Sequence, residues 1–244
     1  MLMSYIFREH IKQSLAVIAF LLTLTACTSE SYDAGDGPNS YLTADLVLLH
    51  TSQDKSVRSA LLDDGTTLQF SNPFAQDWLT RPDSVYRALL YYDKTVAASD
   101  AAASNPTATS IVRARSVSPV SVLRPVEAED METLRTDPVG FESIWLSKNK
   151  SYINLSLLLK SGKTEADDAL HALGIVSHGT TTDADRRRTL HLTLYHDQGG
   201  VPAYYTVQQY VSIPTQLLEK ADTVELTLNT YNGKKVVKVA VSNL

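Results

Sequence analysis

The sequence has 244 residues, of which 43% are hydrophobic, and its 22 Lys and Arg stand against 27 Asp and Glu for a net charge of -5. This hydrophobic content can build a buried core, which argues against general disorder. The negative charge argues against nucleic acid as a partner, because a phosphate backbone is bound by a basic face.

The first residues of the chain have the layout of an export signal. Arg8 and Lys12 give a positively charged start, and residues 15–24 form an apolar stretch that is followed by small residues. A helix that spans a membrane needs roughly 20 apolar residues, so this stretch is too short to span and fits a cleaved segment better. We therefore expect residues 1–26 to be removed as a signal peptide.

The segment Leu24-Thr25-Ala26-Cys27 resembles the lipobox of bacterial lipoproteins. The resemblance implies that the chain is cut after Ala26 and that the Cys27 thiol is acylated. The alternative is that Cys27 is an ordinary small apolar residue in a failed membrane helix. Because Cys27 is the only cysteine, no intramolecular disulfide can form, and a zinc site built on thiolates is excluded. We expect its lipid to anchor the chain without spanning the membrane.

Residues 27–40 contain Gly and Pro and have few side chains to bury, which predicts a flexible tether. Glu30, Asp33 and Asp36 make this tether acidic. Acidic residues just after the lipid-bearing cysteine resemble the surface-export signal of some Gram-negative lipoproteins, whereas a merely solvated linker would have the same composition. The expected location is the outer membrane, with the leaflet left open.

Residues 41–125 have the signals of a small β-barrel domain. Pro73 at a helix start, and Phe74 and Trp78 four residues apart, predict one or two helical turns between the third and fourth strands. Five strands with a short helix at this point is the order of an OB-fold. The predicted strands cover residues 42–49, 57–62, 66–70 and 84–92 and a segment within 110–123.

A second all-β domain is predicted for residues 139–244, after an acidic, proline-containing linker at 126–138. Residues 152–160 alternate between apolar and polar, and Leu190, Leu192 and Leu194 repeat that pattern, so each segment predicts a half-buried strand. Long helices do not alternate with these strands, which disfavours a parallel sheet. We therefore expect an antiparallel β-sandwich.

The last two strands are predicted to form a hairpin around Asn232-Gly233, a pair typical of the type I′ turn. A two-residue loop at these positions would place Leu228 opposite Val237 and Leu226 opposite Val239. These apolar residues share one face, which we expect to lie in the core of the sandwich.

Four segments, at residues 60–65, 83–92, 137–146 and 152–155, resemble in order and spacing the NigD-like lipoprotein family of Gram-negative anaerobes. The resemblance covers essentially the whole chain after the signal peptide. It implies an OB-like domain and a C-terminal β-sandwich behind a lipobox. The family was first described in a bacteriocin gene cluster, which implies immunity or accessory work, and it offers no catalytic residues to carry over.

The sequence contains no motif of a known catalytic or phosphate-binding site. His191 and His196 lie on or beside one predicted strand, but a spacing of five places them on opposite faces. Metal ligands on one strand would be an even number of residues apart. We therefore expect no catalytic residue, no cofactor and no metal.

One arginine run and two tyrosine pairs could bind a ligand. Arg186–188 could hold an anion, although the acidic residues before this run favour a solvated loop end. Tyr91-Tyr92 and Tyr204-Tyr205 could stack on sugars or bases. Adjacent strand residues point to opposite faces, so we expect at most one tyrosine of each pair to be accessible and the other to be in the core.

Two hypotheses for function follow. The first is a non-catalytic envelope protein that contacts another protein, such as a toxin or an outer-membrane partner. The alternative is a glycan-binding lipoprotein that captures polysaccharide, which would present solvent-facing tryptophans. Trp78 and Trp145 are the only tryptophans, and both are expected in a core, which favours the first hypothesis.

Overall fold

The computed structural model describes residues 42–94, 110–163, 169–218 and 220–241. Leu42–Leu244 forms one compact unit that contains all of them. The predicted signal peptide, Ala26, Cys27 and the tether lie outside the described residues. Within the described part of the chain, no helix is long and apolar enough to cross a membrane.

The first five strands close into a barrel in the order β1-β2-β3-β5-β4. β1 completes the closure by pairing with β4, and β3 and β5 run parallel to each other. Large apolar side chains such as Leu49 and Leu90 fill the interior. The OB-like barrel predicted from the sequence is therefore confirmed. Its strands are β1 (Leu42–Thr51), β2 (Val57–Leu62), β3 (Thr67–Phe74), β4 (Val85–Lys94) and β5 (Ser110–Pro119).

The helical turns predicted between β3 and β4 are wrong. Pro73 and Phe74 continue β3, and Phe74 pairs with Val57 across a register shift in β2. The described residues from there to β4 form turns and no helix. Trp78 instead packs edge-on against Tyr86, with ring centroids 5.8 Å apart. Strand pairing thus outweighs the local helix signal at this point.

The remaining strands form a β-sandwich of two sheets. The five-stranded sheet has the order β14-β13-β11-β10-β7, and the four-stranded sheet has the order β6-β12-β9-β8. Three of the pairs, β7/β10, β11/β13 and β6/β12, are parallel. The strands are β6 (Ser121–Val122), β7 (Pro125–Glu127), β8 (Gly140–Leu146), β9 (Tyr152–Ser161), β10 (Ala172–Thr182), β11 (Arg188–Asp197), β12 (Tyr205–Pro214), β13 (Thr223–Thr230) and β14 (Gly233–Ala240).

The core of the sandwich follows the alternation seen in the sequence. Leu190, Leu192 and Leu194 of β11 are buried, while the residues between them are only partly buried. They meet a matching apolar row on β9 that includes Leu155 and Leu157. Alternation therefore identified the inward face of both strands correctly. The expectation that β9 is only half-buried is wrong, because Asn154 and Ser156 on its other face are buried as well.

The segment predicted as a linker is in contact with the five-stranded sheet. Val126 pairs with Val176 of β10 within β7, and a 3-10 turn follows at Ala128–Asp130. Farther on, Thr136 forms a bridge with His196. Part of the segment is thus strand, and the exact boundary between the two predicted domains stays a prediction.

The register predicted for the C-terminal hairpin is wrong by two residues. Leu226 lies opposite Val237, and Leu228 lies opposite Lys235. The turn is at Tyr231 and Asn232, one position earlier than predicted. A shift of two positions keeps each side chain on the same face of the sheet. Leu226 and Leu228 are therefore still fully buried, as expected.

Candidate functional site

A cleft of about 370 Å³ lies where the barrel meets the four-stranded sheet. β1, β4 and the end of β2 form its barrel wall, and β8, the turn after β8 and β12 form its sandwich wall. Clefts that combine apolar surface with a few polar groups are the usual places for ligands to bind. Its lining residues are Ala44, Asp45, Leu46, Leu62, Asp63, Asp64, Leu89, Tyr91, Trp145, Leu146, Ser147, Lys148 and Tyr210.

Two aromatic side chains form the sandwich wall of the cleft. Trp145 and Tyr210 pack edge to face, with ring centroids 6.4 Å apart and an angle of 81° between the rings. Both side chains are half-buried. The prediction that Trp145 lies in the core is therefore wrong. Ile144 and Leu146, its neighbours on β8, pack against the core, so strand alternation could have placed Trp145 on the outer face.

The barrel wall carries the tyrosine pair predicted as a stacking candidate. Tyr91 is half-buried and lines the cleft, whereas Tyr92 is 2% exposed in the barrel core. The Tyr92 hydroxyl donates a hydrogen bond of 2.8 Å to Oδ2 of Asp45. Burial and this bond raise the pKa of Tyr92 above its ordinary value. As expected from alternation, one tyrosine of this pair is accessible.

The carboxylates of the cleft make it acidic. Asp45 and Asp64 lie along its barrel wall, and Lys148 supplies the only positive charge among its described lining residues. Burial raises the pKa of Asp64, but hydrogen bonds from Thr66 and the charge of Lys148 lower it by a larger amount. The pKa of Asp64 therefore lies below its ordinary value. The Asp64 carboxyl is therefore ionised at neutral pH.

A buried guanidinium beside the cleft joins the barrel to the sandwich. Arg87 on β4 donates hydrogen bonds to both carboxylate oxygens of Asp63, at 2.6 and 2.7 Å. It also donates to Ser212 at 3.1 Å and to Asn154 at 3.0 Å, both on the sandwich. Its guanidinium lies over the ring of Tyr152, 4.4 Å from the centroid. The pairing with Arg87 compensates the charge of Asp63.

The histidines are placed as the sequence predicted, on opposite faces of β11. His196 is 1% exposed on the inward face, where it stacks on His171 with 2.9 Å between Nε2 and Nδ1. His191 is on the outer face, 2.8 Å from the Thr181 hydroxyl and 3.2 Å from Glu225. In the part of the chain that the structure describes, no three His, Cys, Asp or Glu side chains are grouped as a metal site would require.

The two remaining candidates, the arginine run and the second tyrosine pair, lie at the starts of β11 and β12. Arg186 is exposed with φ of 61°, in a turn closed by Asp183, which agrees with a solvated loop end. Tyr204 and Tyr205 are 78% and 49% exposed, so the expectation that one of them is in the core is wrong. Tyr204 precedes β12, and the alternation of a strand does not apply to it.

Residues 122–241 match the family model of the NigD-like C-terminal beta sandwich domain, which spans the sandwich described above. The chain belongs to the NigD-like family. No curated protein matches this NigD-like chain in sequence.

Solved structures of several bacterial proteins share this fold. A NigD-like immunity protein from Bacteroides caccae is similar with a TM-score of 0.58 and 23% identity, over 81% of this chain and 91% of that one. A toxin-related protein from Parabacteroides distasonis is similar with a TM-score of 0.54 and 20% identity, over 81% of this chain and 92% of that one. A candidate lipoprotein from Bacteroides fragilis is similar with a TM-score of 0.58 and 13% identity, over 82% of this chain and 98% of that one. At these identities the similarity establishes the fold.

Proposed function

We propose that this NigD-like protein is a lipid-anchored envelope protein that acts by binding another protein and catalyses no reaction. The observation that carries the binding role is the cleft between barrel and sandwich. Trp145 and Tyr210 line its sandwich wall, and Asp45 and Asp64 are among the residues of its barrel wall. Aromatic side chains are enriched at the centres of protein interfaces, where they contribute much of the binding energy.

The comparisons support a role of the immunity or accessory kind. The Bacteroides caccae protein that shares the fold is named a NigD-like immunity protein. We propose a role of the same kind for this chain, in which it contacts a toxin or an outer-membrane protein. The B. fragilis candidate lipoprotein with the same fold supports an envelope location.

The membrane anchor rests on the lipobox that ends at Cys27. We propose that the mature protein is held at the outer membrane by lipid on this residue, on either face. Metabolic labelling with palmitate tests this directly: the wild type should incorporate the label, and Cys27→Ala should not. Ser29→Ala, two positions farther along the tether, is the matched control and should be labelled like the wild type. Equal labelling of the Cys27→Ala chain would disprove the anchor.

Site-specific crosslinking tests the protein partner. A photoreactive amino acid in place of Lys148, on the rim of the cleft, should crosslink in intact cells to a discrete protein. The same amino acid in place of Arg187, in the exposed loop before β11, should not give that product. If the rim position gives no protein adduct while polysaccharide is captured, the proposed partner class is wrong.

Glycan binding is the second candidate, and the position of Trp145 favours it. A half-buried tryptophan in a cleft with polar groups can pack against a sugar ring, which a tryptophan in the core could not do. Binding of oligosaccharides on an array, lost in Tyr210→Ala and kept in Tyr204→Ala, would support this function over protein binding.

A further inference from the structure

We propose that the open edge of β14 binds an extended, acidic strand of the protein partner, which adds to the five-stranded sheet as a further strand. This inference rests on the proposed function and names the surface and the chemistry by which the partner is bound. β14 is the outermost strand of its sheet, and no described strand pairs with its other side. Addition of a strand to such an edge is a recurring mode of peptide recognition.

β14 is the one edge of the sandwich, in the described part of the chain, that is both long and regular. Its eight residues pair with β13 in one unbroken register. Of the other edges, β6 and β7 have only two and three residues, and β8 is interrupted by a register shift between Phe141 and Ser143. Short and bulged edges resist pairing with another chain, whereas a long regular edge permits it.

The main chain of β14 presents a row of unpaired donors and acceptors. The Asn229 carbonyl accepts a hydrogen bond from the N–H of Val139, which bridges to β13 on the side away from β14. Asn229 and its cross-strand partner Lys234 are therefore a non-hydrogen-bonded pair, so the N–H and C=O of Lys234 point away from β13. Because the two kinds of pair alternate, the main-chain groups of Val236 and Lys238 point outward as well.

The side chains along this edge make it basic. β14 carries Lys234, Lys235 and Lys238 and no acidic residue. Lys238 is paired at 3.0 Å with Glu225, which is the one acidic residue of β13. Among the residues that the structure describes, Lys234 and Lys235 form no ion pair. Their two charges are thus left for acidic side chains of the incoming strand.

The order of side chains on β14 specifies what the incoming strand presents. Lys234 and Val236 share one face of the sheet and Lys235 lies on the other, since strand residues alternate. Val236 is 48% exposed. A strand paired with this edge would therefore place two adjacent acidic residues beside the lysines and an apolar residue beside Val236. A second copy of β14 is disfavoured as the occupant, because its lysines would lie next to those of the first copy.

The edge lies on the same side of the sandwich as the cleft. Nζ of Lys235 is 5.2 Å from the ring centroid of Phe141, which is on β8. β8 also carries Trp145, which lines the cleft. One partner can therefore contact the cleft and the edge of β14 together.

Fluorescence anisotropy tests the inference, with the full-length chain in detergent added to a labelled hexapeptide. The peptide Thr-Val-Glu-Glu-Val-Thr presents the expected pattern to β14 in either strand direction. We expect saturable binding that weakens as salt is raised. The peptide in which both Glu are replaced by Lys should not bind.

Val236→Pro removes an outward N–H without removing a hydrogen bond to β13, so it should weaken peptide binding by about tenfold or more. Val236→Thr keeps this N–H and should bind like the wild type. The double variant Lys234→Gln/Lys235→Gln removes the two charges and should bind about threefold to tenfold more weakly. It leaves the backbone of β14 intact, so it tests the site even where the proline variant does not fold. Lys55→Gln, in the exposed turn between β1 and β2, is its control and should bind like the wild type.

The outcomes separate this inference from the proposed function. Unchanged peptide binding in folded Val236→Pro, or equal affinity in the lysine double variant and in Lys55→Gln, would overturn strand addition at β14. A wild-type dimer that Val236→Pro dissociates, measured by sedimentation, would show that a second copy occupies the edge and would overturn the acidic partner. If the Lys148 position crosslinks to a protein while the peptide does not bind, only this inference fails. If the wild type gives no protein crosslink, the proposed function fails.

Discussion

Arg87 of the barrel donates a hydrogen bond of 3.0 Å from Nη2 to Oδ1 of Asn154 in the sandwich. Asn154 is fully buried, and its amide nitrogen donates in turn to the Asp63 carboxylate at 2.9 Å. Ser212 donates to the same Asn154 oxygen at 2.7 Å. A buried polar network rigidifies a structure when every member has a partner, and this network links the barrel to the sandwich.

Replacing Arg87 with Ala should lower the free energy of unfolding by about 3–5 kcal/mol. The reason is that the Asp63 carboxylate would lose its compensating charge while Asn154 and Ser212 would lose a donor. Urea unfolding followed by circular dichroism measures the loss.

Arg58→Ala is the matched control for this substitution. Arg58 also faces an aspartate, Asp54, but the two groups are 3.9 Å apart and both side chains are more than half exposed. Exposed ion pairs contribute little, so the cost should stay within about 0.5 kcal/mol. An equal loss in the Arg58 and Arg87 variants would show that burial of the Arg87 pair contributes nothing.

Strand alternation predicted most of the fold because one face of each strand is buried. It placed Leu190 and Leu192 in the core, and the spacing of the first five strands predicted the barrel. The helix predicted near Phe74 failed because a local signal competed with strand pairing to β2, which is a non-local interaction.

The candidate site was harder to predict because its walls come from both parts of the chain. Arg87 and Ser212 are 125 residues apart, and nothing in either local sequence indicates that they meet. Trp145 was misplaced for a different reason: it was expected in a core, whereas the alternation of side chains along β8 places it on the outer face. The alternation of side chains along β8 was therefore the better guide to the position of Trp145.

Leu226→Ala should destabilise the protein by about 2–5 kcal/mol, because Leu226 is fully buried in the core of the sandwich and the substitution leaves a cavity. Val236→Ala on the neighbouring strand is the control. Val236 is 48% exposed, so its loss should cost within about 0.5 kcal/mol. Thermal and urea unfolding measure the loss of unfolding free energy in each variant. Similar losses in the two variants would argue that the face of the hairpin carrying Leu226 does not lie in the core.

The hairpin turn depends on the backbone of Gly233. Its φ is 101°, whereas Asn232 does not have a positive φ, so the two positive angles of a type I′ turn are not both present. The Thr230 hydroxyl closes the turn by donating to the Gly233 carbonyl at 2.7 Å and accepting from the Asn232 amide. This local capping explains why the turn is one position earlier than the Asn-Gly pair predicted.

Gly233→Ala should therefore cost about 1–3 kcal/mol through backbone strain. A Cβ at this position would meet no atom within 4 Å, so steric contact cannot be the cause. Gly174→Ala in β10 is the control, because its Cβ would make only an ordinary contact of 3.5 Å with Tyr195 and its backbone is not in the left-handed region. Unfolding in urea should show the control to be neutral or slightly stabilised, and an equally destabilised control would contradict the role of φ.

His171, which contacts the buried His196, should make stability depend on pH. Nδ1 of His196 is 3.0 Å from the carbonyl oxygen of Asp137, which accepts its hydrogen, so Nε2 is left to accept from Nδ1 of His171. Burial and the neighbouring His196 lower the pKa of His171 below its ordinary value of 6.5.

The lowered pKa of His171 means that the unfolded chain binds a proton at a higher pH than the folded chain. Stability is therefore fully present above the unfolded pKa of about 6.5, and it is lost as the pH falls from there toward the folded pKa. His171→Asn removes this titration, so its free energy of unfolding should fall less than that of the wild type between about pH 7 and pH 5. His178→Asn is the control, because His178 is exposed, and it should keep the wild-type slope. Urea unfolding at a series of pH values measures these slopes, and identical slopes for His171→Asn and the wild type would show that the pair does not titrate in this way.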